Sequence, residues 1–272
     1  MKLSLTVQTP EVRSPSPVSL LSGTFEERLV KAARLGADGL ELLPIDPASL
    51  PADQLRTRLE EHGLAAAAIG TVLLGFAGVT LLHADPEAAA QAQTRLREMI
   101  DFAGAVGAPL VTIGGFRGRV ASTGEEGRDR LDSVLRDAAV HAEARDVRLA
   151  LEPINHFQTD FITSAEEGLA FLEAVGHPAL GLLLDTCHMN IDESSWTEPL
   201  CRTMDAGRLL HIHVADNNRL APGRGLIDFG AIVNTLRDIG YAGYLSAEVL
   251  AQPDPDTAAL DVLAHMRPLL GL

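Results

Sequence analysis

Residues 180–189 read LGLLLDTCHM, a leucine run that ends on an acid, Asp185, with His188 three positions on. A carboxylate closing such a run is unusual, because leucine- and valine-rich runs of this length read as strands buried on both faces. An unpartnered charge there would cost several kcal/mol or neutralise itself. The same form recurs on either side. LALEPI (149–154) ends on Glu152, LLHIHVAD (209–216) carries His211 and His213, and YLSAEVL (244–250) carries Glu248. Two Glu, one Asp and one His make an oxygen- and nitrogen-rich donor set suited to one divalent cation.

Working outward, strand-like runs alternate with amphipathic ones. The candidate strands lie at 2–7, 39–44, 64–72, 109–114, 147–153, 181–186, 209–215 and 243–249. Between them, Ala89, Ala92, Leu96, Met99, Ala103 and Val106 repeat at helical steps, as do Leu131, Val134, Leu135, Ala138 and Ala142. Ile232, Val233, Leu236 and Ile239 form a third such stripe, and Leu260, Leu263, Met266 and Leu270 a last one. Gly36, Gly63, Gly107, Gly176, Gly207 and Gly240 stand where helices hand over to strands, as expected of left-handed helix ends. Strict β/α alternation with short links demands right-handed parallel crossovers, and eight units favour a closed (β/α)8 barrel over an open sheet. No G-x-G-x-x-G follows the first strand, so a dinucleotide cofactor is not expected.

The chain has 272 residues with 46% hydrophobic content and no linker-like segment, which fits one domain over 1–272. Its formal charge of −15 argues against nucleic-acid partners. Cys187 and Cys201 are too few for a disulfide framework, and with no secretory signal the expected location is cytoplasmic. The 19 uncharged residues of LAAAAIGTVLLGFAGVTLL (64–82) meet the crude length test for a membrane span. Three glycines, two threonines and flanks without Lys or Arg argue instead for a strand and an apolar loop that walls a pocket or joins subunits.

In a barrel, functional groups belong at the carboxyl ends of the strands. Glu152, Asp185, His211 and Glu248 meet that condition on strands five to eight. His211 and His213 share a face, so spacing alone does not say which of them is the ligand. His188, Gln158 and Arg219 fall in the loops after these strands. GGFRGR (114–119) follows strand four and is either a plain turn or a source of backbone N–H groups and a cation for an anionic substrate. Cys187, in acidic surroundings, reads as a small filler with a raised thiol pKa.

The segments LEPINHFQTDFITS (151–164), LLLDTCHMNIDE (182–193), HIHVADNNRLAPGRGLIDF (211–229) and GYLSAEVL (243–250) resemble the xylose isomerase-like barrel superfamily. The match is to its sugar epimerase and isomerase branch, typified by D-tagatose 3-epimerase. DPEAAAQAQ (85–93) and GGFRG (114–118) are also similar to keto-sugar-acid epimerases. The resemblance implies one divalent metal on Glu152, Asp185, His211 and Glu248, manganese first, with zinc, cobalt or magnesium also accepted. It implies Glu152 and Glu248 as the acid/base pair for proton transfer through an enediolate, and substrate oxygens held by His188, Arg219, Gln158 and His213. It further implies a homodimer or homotetramer. Where the branch often reads EPLNRYETD, this chain has EPINHFQTD (152–160), so an Arg/Glu pair has become His156 and Gln158. That change bears on which sugar is bound. An inosose isomerase or dehydratase is the nearest alternative, followed by a DNA repair endonuclease sharing the D-x-x-H element at Asp185 and His188, and a sugar-binding barrel without turnover. The nuclease's three-metal site needs early-strand histidines, and His62 and His83 are the only histidines of the first half.

Overall fold

A computed structural model describes the backbone of residues 1–272 and every side chain except that of Glu125. Eight parallel strands, β1 (Lys2–Gln8), β2 (Gly39–Leu43), β3 (Ala65–Gly70), β4 (Leu110–Ile113), β5 (Arg148–Leu151), β6 (Leu180–Asp185), β7 (Leu209–His213) and β8 (Tyr244–Ala247), close into a barrel in sequence order, with β8 pairing back onto β1. The helices are α1 (Phe25–Leu35), α2 (Ala52–Glu61), α3 (Val72–Phe76), α4 (Pro86–Val106), α5 (Gly127–Glu143), α6 (Ala165–Val175), α7 (Thr186–Asp192), α8 (Glu198–Asp205), α9 (Phe229–Asp238) and α10 (Pro255–Leu270).

All eight expected strands are present within a few residues of their expected ends, and the six joint glycines all hold positive φ, from 66° to 84°. At such angles a side chain would crowd the backbone, so glycine stops each helix and frees the chain for the next strand. Two helices exceed the simple alternation. The segment after β3, expected as a loop, forms the short α3, and α7 starts directly at the end of β6. Among the described residues, no helix is long and apolar enough to cross a membrane. Leu260, expected on the buried stripe of α10, is 51% exposed, while Leu263 and Met266 are buried.

The main core lies between the barrel and its helices. A smaller apolar layer of Ala68, Leu110, Ala150 and Leu183 fills the barrel itself. Side chains alternate along a strand, so Thr112, Glu152 and Asp185, two positions further on, point inward nearer the mouth. Gly181 shows why the quoted leucine run contains a glycine: a Cβ there would sit 2.6 Å from the Arg208 carbonyl oxygen and 2.5 Å from the Leu210 side chain. Between β6 and β7 the register shifts by one residue after Leu182. Leu183 therefore pairs with His211, and Asp185 with His213.

Candidate active site

Glu152, Asp185, His213 and Glu248 each offer one ligand atom, and these four atoms lie within 4.8 Å of one another. All four residues are buried. Nδ1 of His213 faces Asp185 Oδ2 at 3.7 Å, Glu152 Oε1 at 3.8 Å and Glu248 Oε2 at 3.8 Å. The structure thus brings together the three acids expected from the sequence and sets His213, not His211, among them. His211, two residues deeper on the same face, does not reach the cluster. Its Nε2 lies 3.1 Å from Glu41 Oε2, in a separate buried trio of Glu41, His211 and His213. The strand register is the physical reason, because it sets His213 beside Asp185 and leaves His211 opposite Leu183, two positions deeper in the barrel.

Each side chain has a local cause for its position. Asp185 is the N-cap of α7, its Oδ1 accepting from the N–H groups of Cys187 at 2.8 Å and His188 at 3.3 Å. One oxygen of Asp185 thus caps the helix while the other faces the cluster. Glu152 follows β5, where Arg117 donates to its carbonyl at 2.6 Å. Gly114 lies so close to Glu152 Oε2 that any Cβ there would collide with it. Arg219 takes a left-handed φ of 63° in the loop after β7 and donates to Asp185 Oδ2 at 2.6 Å and to Glu248 Oε2. That loop is folded around the buried Asp216 carboxylate, which accepts from the N–H groups of Asn217, Gly223, Gly225 and Ile227 at 2.7–3.1 Å. Leu250 N–H donates to the Arg219 carbonyl at 2.8 Å, which ties the loop to the segment carrying Glu248.

The electrostatics describe a cluster short of positive charge. Burial first, and the Glu248 charge second, push Glu152 up to about 8. Burial also raises Glu248, against the opposing pull of Arg219. Burial is the largest influence on Asp185 and disfavours its charge, but the Arg219 guanidinium, His188 and His213 together outweigh it and hold this acid far below the usual range. Burial lowers His188 to about 4, so the ring is neutral at pH 7. Asn155 lies 2.7 Å from its Nδ1, so an amide N–H donated there leaves Nε2–H pointing toward Glu152 Oε1 at 3.7 Å. Glu152 Oε1 and His213 Nδ1 are buried with no hydrogen-bond partner among the described residues. Two orphaned donor atoms among three carboxylates fit a divalent cation bound by Glu152, Asp185, His213 and Glu248.

Glu152, His213 and Glu248 of this cluster line the floor of a cavity of about 410 Å3, within the ordinary range for small-ligand pockets. His188, Gln158 and Arg219, expected near substrate, all line it, and Val18, Phe76, Ile191 and Leu250 supply apolar wall. The segment after β3 does wall the pocket, through Val72, Gly75 and Phe76. His156 turns aside to Asp192, its Nδ1 lying 2.5 Å from Oδ1. Arg117 of the GGFRGR loop is no substrate cation: it is buried and donates to the carbonyls of Gly114, Glu152, Phe161 and Ile162. Cys187 is buried at the cavity edge with its thiol raised by burial and then by Asp185, as expected. Sequence reasoning missed Glu41, although an acid inside GLELL (39–43) carries the same signal as the other four. It also missed Asn155 and Asp216, whose partners become visible only in three dimensions.

Residues 29–269 match the family described as xylose isomerase-like TIM barrel. The L-ribulose 3-epimerase of Mesorhizobium japonicum is 32% identical over 229 residues, an overlap of 82% of this chain and 75% of that protein. The ketose 3-epimerase of Arthrobacter globiformis is 29% identical, covering 78% and 73%. Among solved structures, an L-ribulose 3-epimerase superposes with a TM-score of 0.80 at 25% identity, covering 99% of this chain and 94% of the other.

Proposed function

The chain belongs to the xylose isomerase-like TIM barrel family, and on that premise we propose that this isomerase is a divalent-metal-dependent ketose 3-epimerase. The single observation that carries the reading is the convergence of two glutamates, Glu152 and Glu248, on one cavity with Asp185 and His213 between them. The names of the similar proteins from Mesorhizobium japonicum and Arthrobacter globiformis support it.

In this reading Glu152, Asp185, His213 and Glu248 hold the ion, with manganese the first expectation. A bound divalent cation would supply Lewis-acid polarisation of a carbonyl and would favour the ionised form of the glutamate that acts as base. The hydrogen on carbon three of a 2-ketose is acidic because it lies beside the carbonyl. One glutamate, ionised, removes it, and the second, carrying a proton at the start of the turnover, gives that proton to the opposite face, inverting that carbon through an enediolate and leaving the two carboxyl groups with their protonation states exchanged. Glu152 comes from the end of β5 and Glu248 from the end of β8, so the two carboxylates approach a ligand from separate strands. The neutral His188 donates through Nε2–H, and Arg219 supplies fixed positive charge, both toward oxygens that gain negative charge during enolisation.

The substrate we expect is an uncharged ketose. Among the described residues lining the cavity, Arg219 is the sole permanent cation, and it is already engaged by Asp185 and Glu248. A phosphate or sugar carboxylate would find no free side-chain cation among them. The test is to incubate Mn2+-loaded protein with ribulose, fructose, psicose, tagatose and sorbose, and with their phosphates, in deuterated water. The reading expects C3 epimers of a neutral ketose with deuterium at carbon three. No epimer and no label from any of them would contradict it, and preference for a phosphate would overturn the substrate assignment.

A further inference from the structure

Glu41 is fully buried in β2, where Oε2 is 3.1 Å from Nε2 of His211 and 3.1 Å from Nε2 of His213. Thr112 Oγ1 donates to its other oxygen at 3.3 Å. The two imidazoles meet edge to face, 5.4 Å between centroids and 79° between planes. Each ring turns Nε2 to the same carboxylate oxygen, and each Nδ1 is left without a partner among the described residues. Only the Nδ1 of His213 faces the three acids at the cavity floor.

These contacts fix more than position. A neutral imidazole that donates from Nε2 carries its lone pair on Nδ1, so a carboxylate at Nε2 selects the tautomer able to bind a cation through Nδ1. A carboxylate so deep in a barrel also needs its own anchors, because an unsatisfied charge there is costly. His211 and Thr112 hold the two oxygens of Glu41 and prevent its rotation away from His213. The family resemblance implied His211 as a ligand, whereas its geometry suits an anchor.

We infer that Glu41 is a positioning residue that locks His213 in the Nδ1-ligating tautomer, and that His211 serves the site by anchoring Glu41 rather than by binding the ion. This rests on the metal reading proposed above. It also assigns one ion per chain, since both Nε2 atoms of the inner trio stand at hydrogen-bond distance from the same oxygen and none of that trio except His213 lines the cavity.

The experiment titrates full-length, metal-stripped protein with Co2+, read by visible absorption, and with Mn2+, read by calorimetry. Thermal melts of each variant confirm folding. For wild type we expect one ion per chain. Glu41→Gln should weaken binding by roughly tenfold to a hundredfold at unchanged stoichiometry, the range typical of lost support to a ligating histidine. His211→Leu should weaken it in the same direction, and His211→Gln, which retains an N–H for Glu41, should recover most of the loss. The two His211 variants keep the test decisive if Glu41→Gln does not fold. Unchanged affinity in Glu41→Gln and His211→Leu would overturn the inference while leaving the metal site intact. Two ions per wild-type chain, with one lost in His211→Leu, would overturn it by making the inner trio a site. Binding undiminished by His213→Gln or Glu248→Gln would overturn the metal reading itself.

Discussion

Asp185 and His213 are register partners across β6 and β7, and His213 Nδ1 lies 3.7 Å from Asp185 Oδ2. That pairing depends on the one-residue shift after Leu182; unshifted pairing would set Asp185 against Ile212, whose side chain belongs to the outer core. The shift is thus what joins an acid from one strand to an imidazole from the next at the cavity floor.

Proton transfer by two glutamates predicts a specific kinetic pattern. Glu152→Gln and Glu248→Gln should each lower kcat by at least about a hundredfold, the lower bound for loss of a general acid or base, with a much smaller change in KM. Steady-state kinetics on whichever ketose is turned over measures this. A variant retaining full kcat would remove that residue from the acid/base pair.

Arg117 should matter to stability rather than to substrate choice. Its buried guanidinium, lowered by burial to about 10, donates to four carbonyl groups around the start of the β5 loop. Arg117→Met removes these four bonds, leaving the Gly114 and Ile162 carbonyls only their backbone partners, the N–H groups of residues 117 and 154, and should cost about 3 kcal/mol in urea unfolding. An unchanged midpoint together with altered substrate preference would return the loop to a role in binding.

Asp216 links loop folding to Arg219. In Asp216→Asn one acceptor oxygen becomes a donor facing N–H groups, so two of the four backbone bonds are lost. We expect a loss of about 1–3 kcal/mol in stability and a raised KM, because the left-handed Arg219 depends on that loop. Thermal unfolding and KM on the same preparation check both, and a destabilised protein with unchanged KM would separate the loop from binding.

Asp256 gives a pH signature away from the site. Partial burial opposes its charge, but hydrogen bonds from Lys31 and Ser22 lower its pKa in the folded chain. A depressed folded pKa contributes stability above the unfolded value, and that contribution disappears as pH falls through the folded pKa. The Asp256 side chain is 43% exposed, so solvent screening limits the effect to about 1 kcal/mol or less. Wild type should therefore exceed Asp256→Asn in stability at pH 6, with the difference shrinking between about pH 4 and pH 2. A constant difference across that range would remove the ionic contribution.

Most of the scaffold was readable because it rests on local signals. Buried runs such as LGLLLD and the six left-handed glycines mark strands and helix ends without reference to the rest of the chain. Glu152, Asp185 and Glu248 were readable for the same reason, each a charge in an apolar run. The choice between His211 and His213 was not, because a period of two puts both on one face, and the register that decides which of them stands beside Asp185 is a property of two strands together. Glu41 carried a legible signal but no legible partner, since His211 stands 170 positions away. Arg117 looked like an exposed loop cation and is buried, because its acceptors come from two other segments of the fold.

The central claim is a cation held by Glu152, Asp185, His213 and Glu248. Its most direct test is anomalous diffraction from crystals of the Mn2+-loaded protein, collected on both sides of the manganese absorption edge. We expect a single peak at the cavity floor, ligated by those three carboxylates and by His213 Nδ1. A peak ligated by His211 and Glu41 instead, or an active protein with no peak at the floor, would contradict it.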